Sequence, residues 1–413
     1  MNGDRDRRSA GFALLLGELD AKALVLLSAA GDDPERAFFV HPAKLGEALV
    51  VVLPGEPPRL GYLTPMERDE AAATGLDLLS PEDLDVARWA RDTPQTGAFH
   101  ANVLAQALQR SGVSPGRIAL AGRLPLGLAA EVLERLAGEG WSFVSASDAL
   151  LRIRKHKTAA ELAKIRRVAG VTGAAIRAVA GLLAAAGVRD SALELEGEPL
   201  RVARLKAKVA RIFAGAGLEQ PRGNIVAPGG EGGVPHSSGT PSRILRAGET
   251  LVVDLFPRGG LFADCTRTFC VGEPPERVAA AFAAVREALA LAHAAARPGA
   301  HGWDLQVAVC EAFTAKGYAT PLSEPGTLQG YVHGLGHGVG FELHEYPSFK
   351  RQAQADGLLA VGDVLTLEPG LYDPAPVDGY GIRLEDLVFL NAEAPEILTP
   401  LPTELDPRTW SPA

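Results

Sequence analysis
The sixteen residues from Leu251 to Thr266 constrain this chain more than any other stretch. They read Leu-Val-Val-Asp-Leu-Phe-Pro-Arg-Gly-Gly-Leu-Phe-Ala-Asp-Cys-Thr. Two strand-like runs flank a Pro-Arg-Gly-Gly turn, a hairpin signal. With the turn centred on Gly259, Asp254 and Asp264 fall directly opposite each other on one face. Such partners have Cβ atoms about 4.5–5.5 Å apart, and like charges there repel. At about 4 Å and an effective dielectric near 20, a carboxylate–carboxylate contact costs on the order of 4 kcal/mol. Val252, Val253, Leu255, Phe256, Phe262 and Phe269 make both strands apolar on both sides, so the aspartates are expected to be buried. Buried unpaired carboxylates are costly, and a bound cation relieves the cost.

A second acidic pair, Glu368 and Glu385, sits on two later strand-like runs, Val364 to Glu368 and Gly381 to Glu385. Between the pairs lies Gly334-Leu-Gly-His337-Gly-Val-Gly340. If the four carboxylates and His337 converge, two divalent cations are the simplest counter-charge. Metals about 3.5–4 Å apart form a hydrolytic centre, so the residues point to a metallohydrolase. The glycine-rich run lacks G-x-G-x-x-G and G-K-[ST], which argues against a phosphate cradle. Glycine there instead lets backbone pass close to a ligand. His333 and His337 are four apart, but no Glu follows the first, so a helical zinc motif is excluded. Three histidines, His333, His337 and His344, within twelve residues favour a functional cluster over isolated structural ones. Arg383 shares a strand face with Glu385 and is expected to pair with a ligand carboxylate. Cys265 should point into the core, away from Asp264. Gly229, Gly230, Gly232 and Gly233 read as a flexible loop leading to His236, which by itself is evenly balanced between surface and site.

At 413 residues, two domains are the natural expectation. Net charge is −9 and no basic tract stands out, so no nucleic-acid partner is expected. Cys265, Cys270 and Cys310 form no C-x-x-C, which fits a reduced, cytoplasmic setting. No run approaches 18 apolar residues, so no membrane span is expected, and Ala10 to Leu16 reads as part of an amphipathic first helix rather than an export signal. Residues 1–150 read as a small α/β domain, with strands at Ala23–Leu27, Ala48–Leu53, Arg117–Ala121 and Trp141–Val144 and helices at Ala101–Arg110 and Leu126–Ala137. His41 and His100 there are read as structural or solvated. Residues 151–413 follow. Thr158-Ala-Ala-Glu161 is a capping box that opens a long helix. A second helix follows Pro199, and then the acidic hairpin. The order helix, helix, strands then repeats from Pro275. Two halves that each deliver two carboxylates imply α+β architecture: a curved antiparallel sheet, helices outside, and a cleft between halves.

The segments VVDLFPRGGLFADCTRTF, HGLGHGVGFELHEYP, LTLEPGLYDP and GIRLEDLV resemble the creatinase, prolidase and methionine aminopeptidase family of pita-bread metallopeptidases. The resemblance covers about residues 150–395. It implies that Asp254, Asp264, His337, Glu368 and Glu385 hold two divalent metals, with Asp264 and Glu385 bridging. It implies Glu368 as general base, His236, His333 and His344 as contacts to substrate and to the tetrahedral intermediate, and Arg383 as the arginine beside the last glutamate. Manganese is the expected metal, with zinc or cobalt as alternatives. The α/β first domain resembles the proline-specific branch, although it lacks an N-Y-L-T-G-like segment after its first strand. The implied activity is an Xaa-Pro dipeptidase, the alternative an Xaa-Pro aminopeptidase, and a third reading a non-catalytic peptide-binding module. The short chain favours the dipeptidase, with Lys350 and Arg351 as candidate cations for a substrate carboxylate. The family also implies a homodimer.

Overall fold
The computed structural model describes residues 2–28, 32–93 and 95–410, with side chains for 8–28, 32–93, 95–353 and 355–410. Contacts divide the chain into two units, Met1–Arg154 and Lys155–Ala413.

Short apolar runs build the first unit, and its central strands Leu24–Ser28 and Ala48–Val52 are buried on both faces. Its six-stranded mixed sheet runs Asp77–Leu79, Arg59–Tyr62, Ala48–Val52, Leu24–Ser28, Arg117–Ala121 and Ser142–Ser145. The four expected strands are present, within a residue or so at their ends. The added pair is short, and one of its strands carries Gly61, which blunts the strand signal. Helices Thr96–Arg110 and Leu126–Ala137 pack on it. His100 is buried there, its ring nitrogens 2.8 Å from the Thr96 carbonyl and 3.2 Å from Glu47.

The second unit opens on the expected capping box. Thr158 Oγ1 accepts the Glu161 N–H at 3.2 Å and Glu161 accepts the Thr158 N–H at 2.9 Å. The helix Ala159–Ala184 buries Leu162, Ile165, Val168, Ile176, Val179 and Leu183, spaced by three and four residues or their multiples. Helix Val202–Gly215 packs against it. In the second half, Glu276–Ala295 and Gly302–Ala315 form the corresponding pair. Ala159–Ala184 and Glu276–Ala295 are long and apolar enough by composition to cross a membrane, with a mean hydropathy of 1.4 in their most apolar windows. Neither contains 18 consecutive apolar residues, the run length looked for in the sequence. Each helix buries a stripe in the core of this unit and carries arginines along its length.

The strands around the acidic residues form two antiparallel groups. Thr250–Leu255 lies between Ile225–Pro228 and Cys265–Cys270. A five-stranded sheet runs Glu345–Ser348, His337–Gly338, Val364–Leu367, Asp386–Leu390 and Pro395–Ile397. The ribbon Gly370–Asp373 with Tyr380–Arg383 joins the two groups. Thr268 Oγ1 accepts the Arg383 N–H and donates to the Arg383 carbonyl, both at 2.9 Å, and the Glu385 N–H reaches the Thr266 carbonyl at 3.1 Å. This seam places residues 264–268 beside residues 383–386.

Candidate metal centre
The hairpin register differs from the sequence expectation by one position at the turn. Leu255 pairs with Cys265 and Asp254 with Thr266, and the ribbon closing the hairpin pairs Arg258 with Phe262 and Gly259 with Leu261. The turn thus centres on Gly260, which takes a φ of +87°. Asp254 and Asp264 are diagonal neighbours on one face rather than a directly opposed pair. Diagonal backbone positions lie about 7–8 Å apart, but the two carboxyl groups still reach each other, and Asp254 raises Asp264 by repulsion and by a shared hydrogen bond. Thr266 takes the opposed position. Its hydroxyl donates to Glu385 Oε2 at 2.7 Å and accepts from Arg383 Nε at 3.2 Å.

Two further placements differ from the strand reading. Glu368 follows the strand Val364–Leu367 instead of ending it, and Glu385 bridges the gap between Tyr380–Arg383 and Asp386–Leu390. Pro369, which has no N–H to donate, follows directly and ends the pairing. The glycines at 229–233 are no flexible loop. Gly229–Gly232 forms a helical turn, and Cβ atoms at Gly230 and Gly233 would run into the carbonyl oxygens of Ala375 and Asp373.

The structure gathers ligand atoms of Asp264, His337 and Glu385 within 4.8 Å of one another. His337 Nε2 lies 3.5 Å from Glu368 Oε1 and 3.8 Å from Asp264 Oδ2. Its Nδ1 faces the Gly338 carbonyl at 3.1 Å, which makes Nδ1 the protonated nitrogen and leaves the Nε2 lone pair toward the carboxylates. The alternating glycines permit this. A Cβ at Gly336 or Gly338 would collide with the carbonyl oxygen of Thr366 or Tyr346. Asp254 is paired with Arg383, the carboxylate partner expected for that arginine.

Among the described residues, the Arg383 guanidinium is set against Asp254, Glu368 and Glu385. Asp254 Oδ1, Asp264 Oδ1 and Glu385 Oε1 are buried without a hydrogen-bond partner. Burial, then repulsion from Glu385, Asp254 and Glu368, holds the Asp264 carboxyl well above the usual range. Burial and the neighbouring acids do the same to Glu385. Glu368 is pushed up to about 8, mainly by burial. Burial pushes His333 and His337 down to about 3 and lowers His344. Unpartnered acceptors and a neutral imidazole Nε2 are the donor set that suits a hard or borderline divalent cation. Asp254, Asp264, His337, Glu368 and Glu385 could hold such ions, which would neutralise the destabilised charges of Asp264, Glu368 and Glu385.

The remaining histidines divide. His333 Nδ1 donates to the Gly334 carbonyl at 2.7 Å, and its Nε2 lies 2.8 Å from the Tyr372 hydroxyl. Arg383 Nη1 donates to the same hydroxyl at 2.9 Å. The consistent pattern has Tyr372 donating to His333, so both ring nitrogens of His333 are engaged. His344 is exposed and packs edge-on against His337, ring centroids 4.3 Å apart. His236 is exposed in the turn after the glycines, near enough to His333 and His344 to lower both. Lys350 and Arg351 are exposed, and Lys350 also contributes to lowering His344. Cys265 is buried on the far face, its thiol 3.3 Å from the Glu385 carbonyl. Sequence reasoning missed Tyr372, whose partners lie 11 and 39 residues away. It also missed Thr266, which strand alternation from Asp264 would have placed on the site face.

The model of metallopeptidase family M24 matches residues 163–392. The chain is 31% identical over 268 residues to an Xaa-Pro dipeptidase of Pyrococcus furiosus, covering 64% of this chain and 68% of that one. It is also 31% identical over 267 residues to a probable dipeptidase PepE of Mycobacterium bovis, covering 63% of each, just under two thirds of that relative. The fold resembles the prolidase from Pyrococcus horikoshii OT3 with a TM-score of 0.75 at 22% identity, over 96% of this chain and 99% of that one. The paired helix–helix–strand halves are thus those of the pita-bread fold, and the chain belongs to metallopeptidase family M24.

Proposed function
We propose that this chain hydrolyses the bond between an N-terminal residue and proline, with dipeptides as its substrates, at a site built from Asp254, Asp264, His337, Glu368 and Glu385. The observation that carries the reading is the buried carboxylate group, three of whose oxygens have no hydrogen-bond partner, beside a neutral His337 whose Nε2 lies 3.5 Å from Glu368 and 3.8 Å from Asp264. The Xaa-Pro dipeptidase relative supports the substrate class. A carboxylate-rich set with a single imidazole suits manganese best, with zinc and cobalt as competitors. Bound divalent ions at such a site activate water and polarise the scissile carbonyl.

The chain's own residues supply the rest. Glu368 takes the proton of the attacking water and returns it to the departing proline nitrogen, a secondary amine that must be protonated to leave. His344, exposed beside His337, is the imidazole available to donate to the developing oxyanion. His333 is committed to Tyr372, so its part is to hold the Tyr372–Arg383–Asp254 chain in register. His236 and Arg383 line the substrate side. Lys350 is the cation nearest in character to a receptor for the free proline carboxylate, which favours the dipeptide.

The catalytic domain in this reading is residues 151–413, and residues 1–150 form an accessory α/β domain. The three cysteines are buried free thiols, which supports a reducing, cytoplasmic setting. A homodimer is the expected assembly, checked by light scattering. Assays of Ala-Pro against Ala-Pro-Ala with added Mn²⁺ test the activity. Cleavage of the dipeptide alone supports the proposal. Cleavage of the tripeptide makes the chain an aminopeptidase, and no cleavage with any metal makes it a binding module.

A further inference from the structure
Gln306, on the helix Gly302–Ala315, is buried beneath the segment that carries His333. Its Oε1 accepts the Leu335 N–H at 2.5 Å and the Tyr331 hydroxyl at 3.2 Å. Its Nε2 donates to the His333 carbonyl at 3.4 Å and lies 3.3 Å from Cys310 Sγ. The Leu335 carbonyl in turn accepts the Glu368 N–H at 2.8 Å. One carboxamide therefore grips the peptides on either side of Gly334, and the carbonyl of Leu335, in the next peptide along, accepts the backbone N–H of Glu368. Leu335 and Tyr331 are fully buried, so water cannot take over these contacts.

The chemistry of the side chain matters. A primary amide accepts twice and donates twice from one planar group. A carboxylate would keep the acceptor contacts and lose the donation to the His333 carbonyl. An aliphatic side chain would lose both and leave the Leu335 N–H orphaned in the interior. None of this is needed to close the helix itself, whose backbone ladder runs without Gln306's side chain.

We infer that Gln306 is a positioning residue for the reaction: its carboxamide sets the places of His333 and, through the Leu335 peptide, of Glu368. It touches neither substrate nor metal ligand side chains. Its effect on turnover rests on the dipeptidase reading, whereas its effect on the backbone does not.

The test compares Gln306→Leu with Gln306→Glu in the full-length, metal-loaded protein. For Gln306→Leu, kcat on Ala-Pro is expected to fall about 10- to 100-fold, the scale of an ångström-level misplacement of a catalytic group. KM and metal content per chain should move far less. Hydrogen exchange at the Leu335 and Glu368 amides should quicken by about tenfold or more as their anchor is lost. Gln306→Glu, which keeps the acceptor contacts, should protect the Leu335 amide and retain more of kcat than the leucine variant. Equal losses in the two variants, or an unchanged kcat with both amides still protected, would overturn the inference. So would a loss confined to KM or to bound metal. If wild-type protein cleaves no Xaa-Pro substrate, the functional reading fails and the two amides alone decide the role of Gln306. Should the leucine variant not fold, Gln306→Met against Gln306→Glu makes the same comparison.

Discussion

Stripping metal from this protein should leave it less stable at pH 8 than at pH 6.5, the reverse of what buried histidines impose. The sign follows from who holds protons. Glu368 titrates at about 8 in the fold, against 4.5 as an ordinary glutamate. Between those values the folded chain binds a proton that the unfolded chain has released, so stability falls as pH rises through that window. Asp264 and Glu385, also raised, act in the same direction. His333 and His337 act oppositely, but only below 6.5, because their folded values lie near 3 and both forms are neutral above the ordinary value. The clean window is therefore pH 6.5 to 8. Glu368 alone contributes about 1.4 kcal/mol per pH unit there, or about 2 kcal/mol across it. For a unit of this size, about 2–4 °C accompanies each kcal/mol, which gives a fall of about 4–8 °C in the melting temperature of the catalytic unit. Coordination keeps the ligand carboxylates deprotonated, so metal-loaded protein should show no such fall. Calorimetry of chelated and Mn²⁺-loaded samples at pH 6.5, 7.25 and 8 measures both. A chelated melting temperature that is flat or rising across this range would refute the uncompensated acidic cluster.

With Glu368 in its proposed double role of proton carrier and metal ligand, the rate of Glu368→Ala should drop about 10²- to 10⁴-fold; a variant keeping more than a tenth of wild-type kcat contradicts that role. His337→Ala should bind less metal by elemental analysis, and unchanged stoichiometry removes His337 from the ligand set. Gly338→Ala drives a methyl into the Tyr346 carbonyl, where neither backbone can yield cheaply. It should lose about 3 kcal/mol or more, within the range of severe single substitutions, and a denaturant midpoint equal to wild type would show the strand can move aside.

Much of this was readable before any coordinates. The Thr158–Glu161 box, the helical stripes and the apolar strands flanking Asp254 and Asp264 are local patterns, and local patterns depend on chain geometry alone. Residue type likewise restricted the chemistry, since carboxylates on apolar strands demand a partner. The hairpin register was not readable, because Gly259 and Gly260 are equally permissive as neighbours in a turn. Packing separates them: Gly260 carries the positive φ, whereas a Cβ on Gly259 would lie 2.7 Å from Leu218 and 2.8 Å from Val168. That contact comes from a helix and a loop far away in the chain, and the register observed with it puts Asp264 on the diagonal. The same holds for Tyr372 between His333 and Arg383, and for Gln306 beneath Leu335. Amino-acid order specified which acidic groups need a counter-charge once buried. Only the folded seam between residues 264–268 and 383–386 decided which oxygens meet, since hydrogen-bond partners chosen across more than a hundred residues leave no periodicity to read.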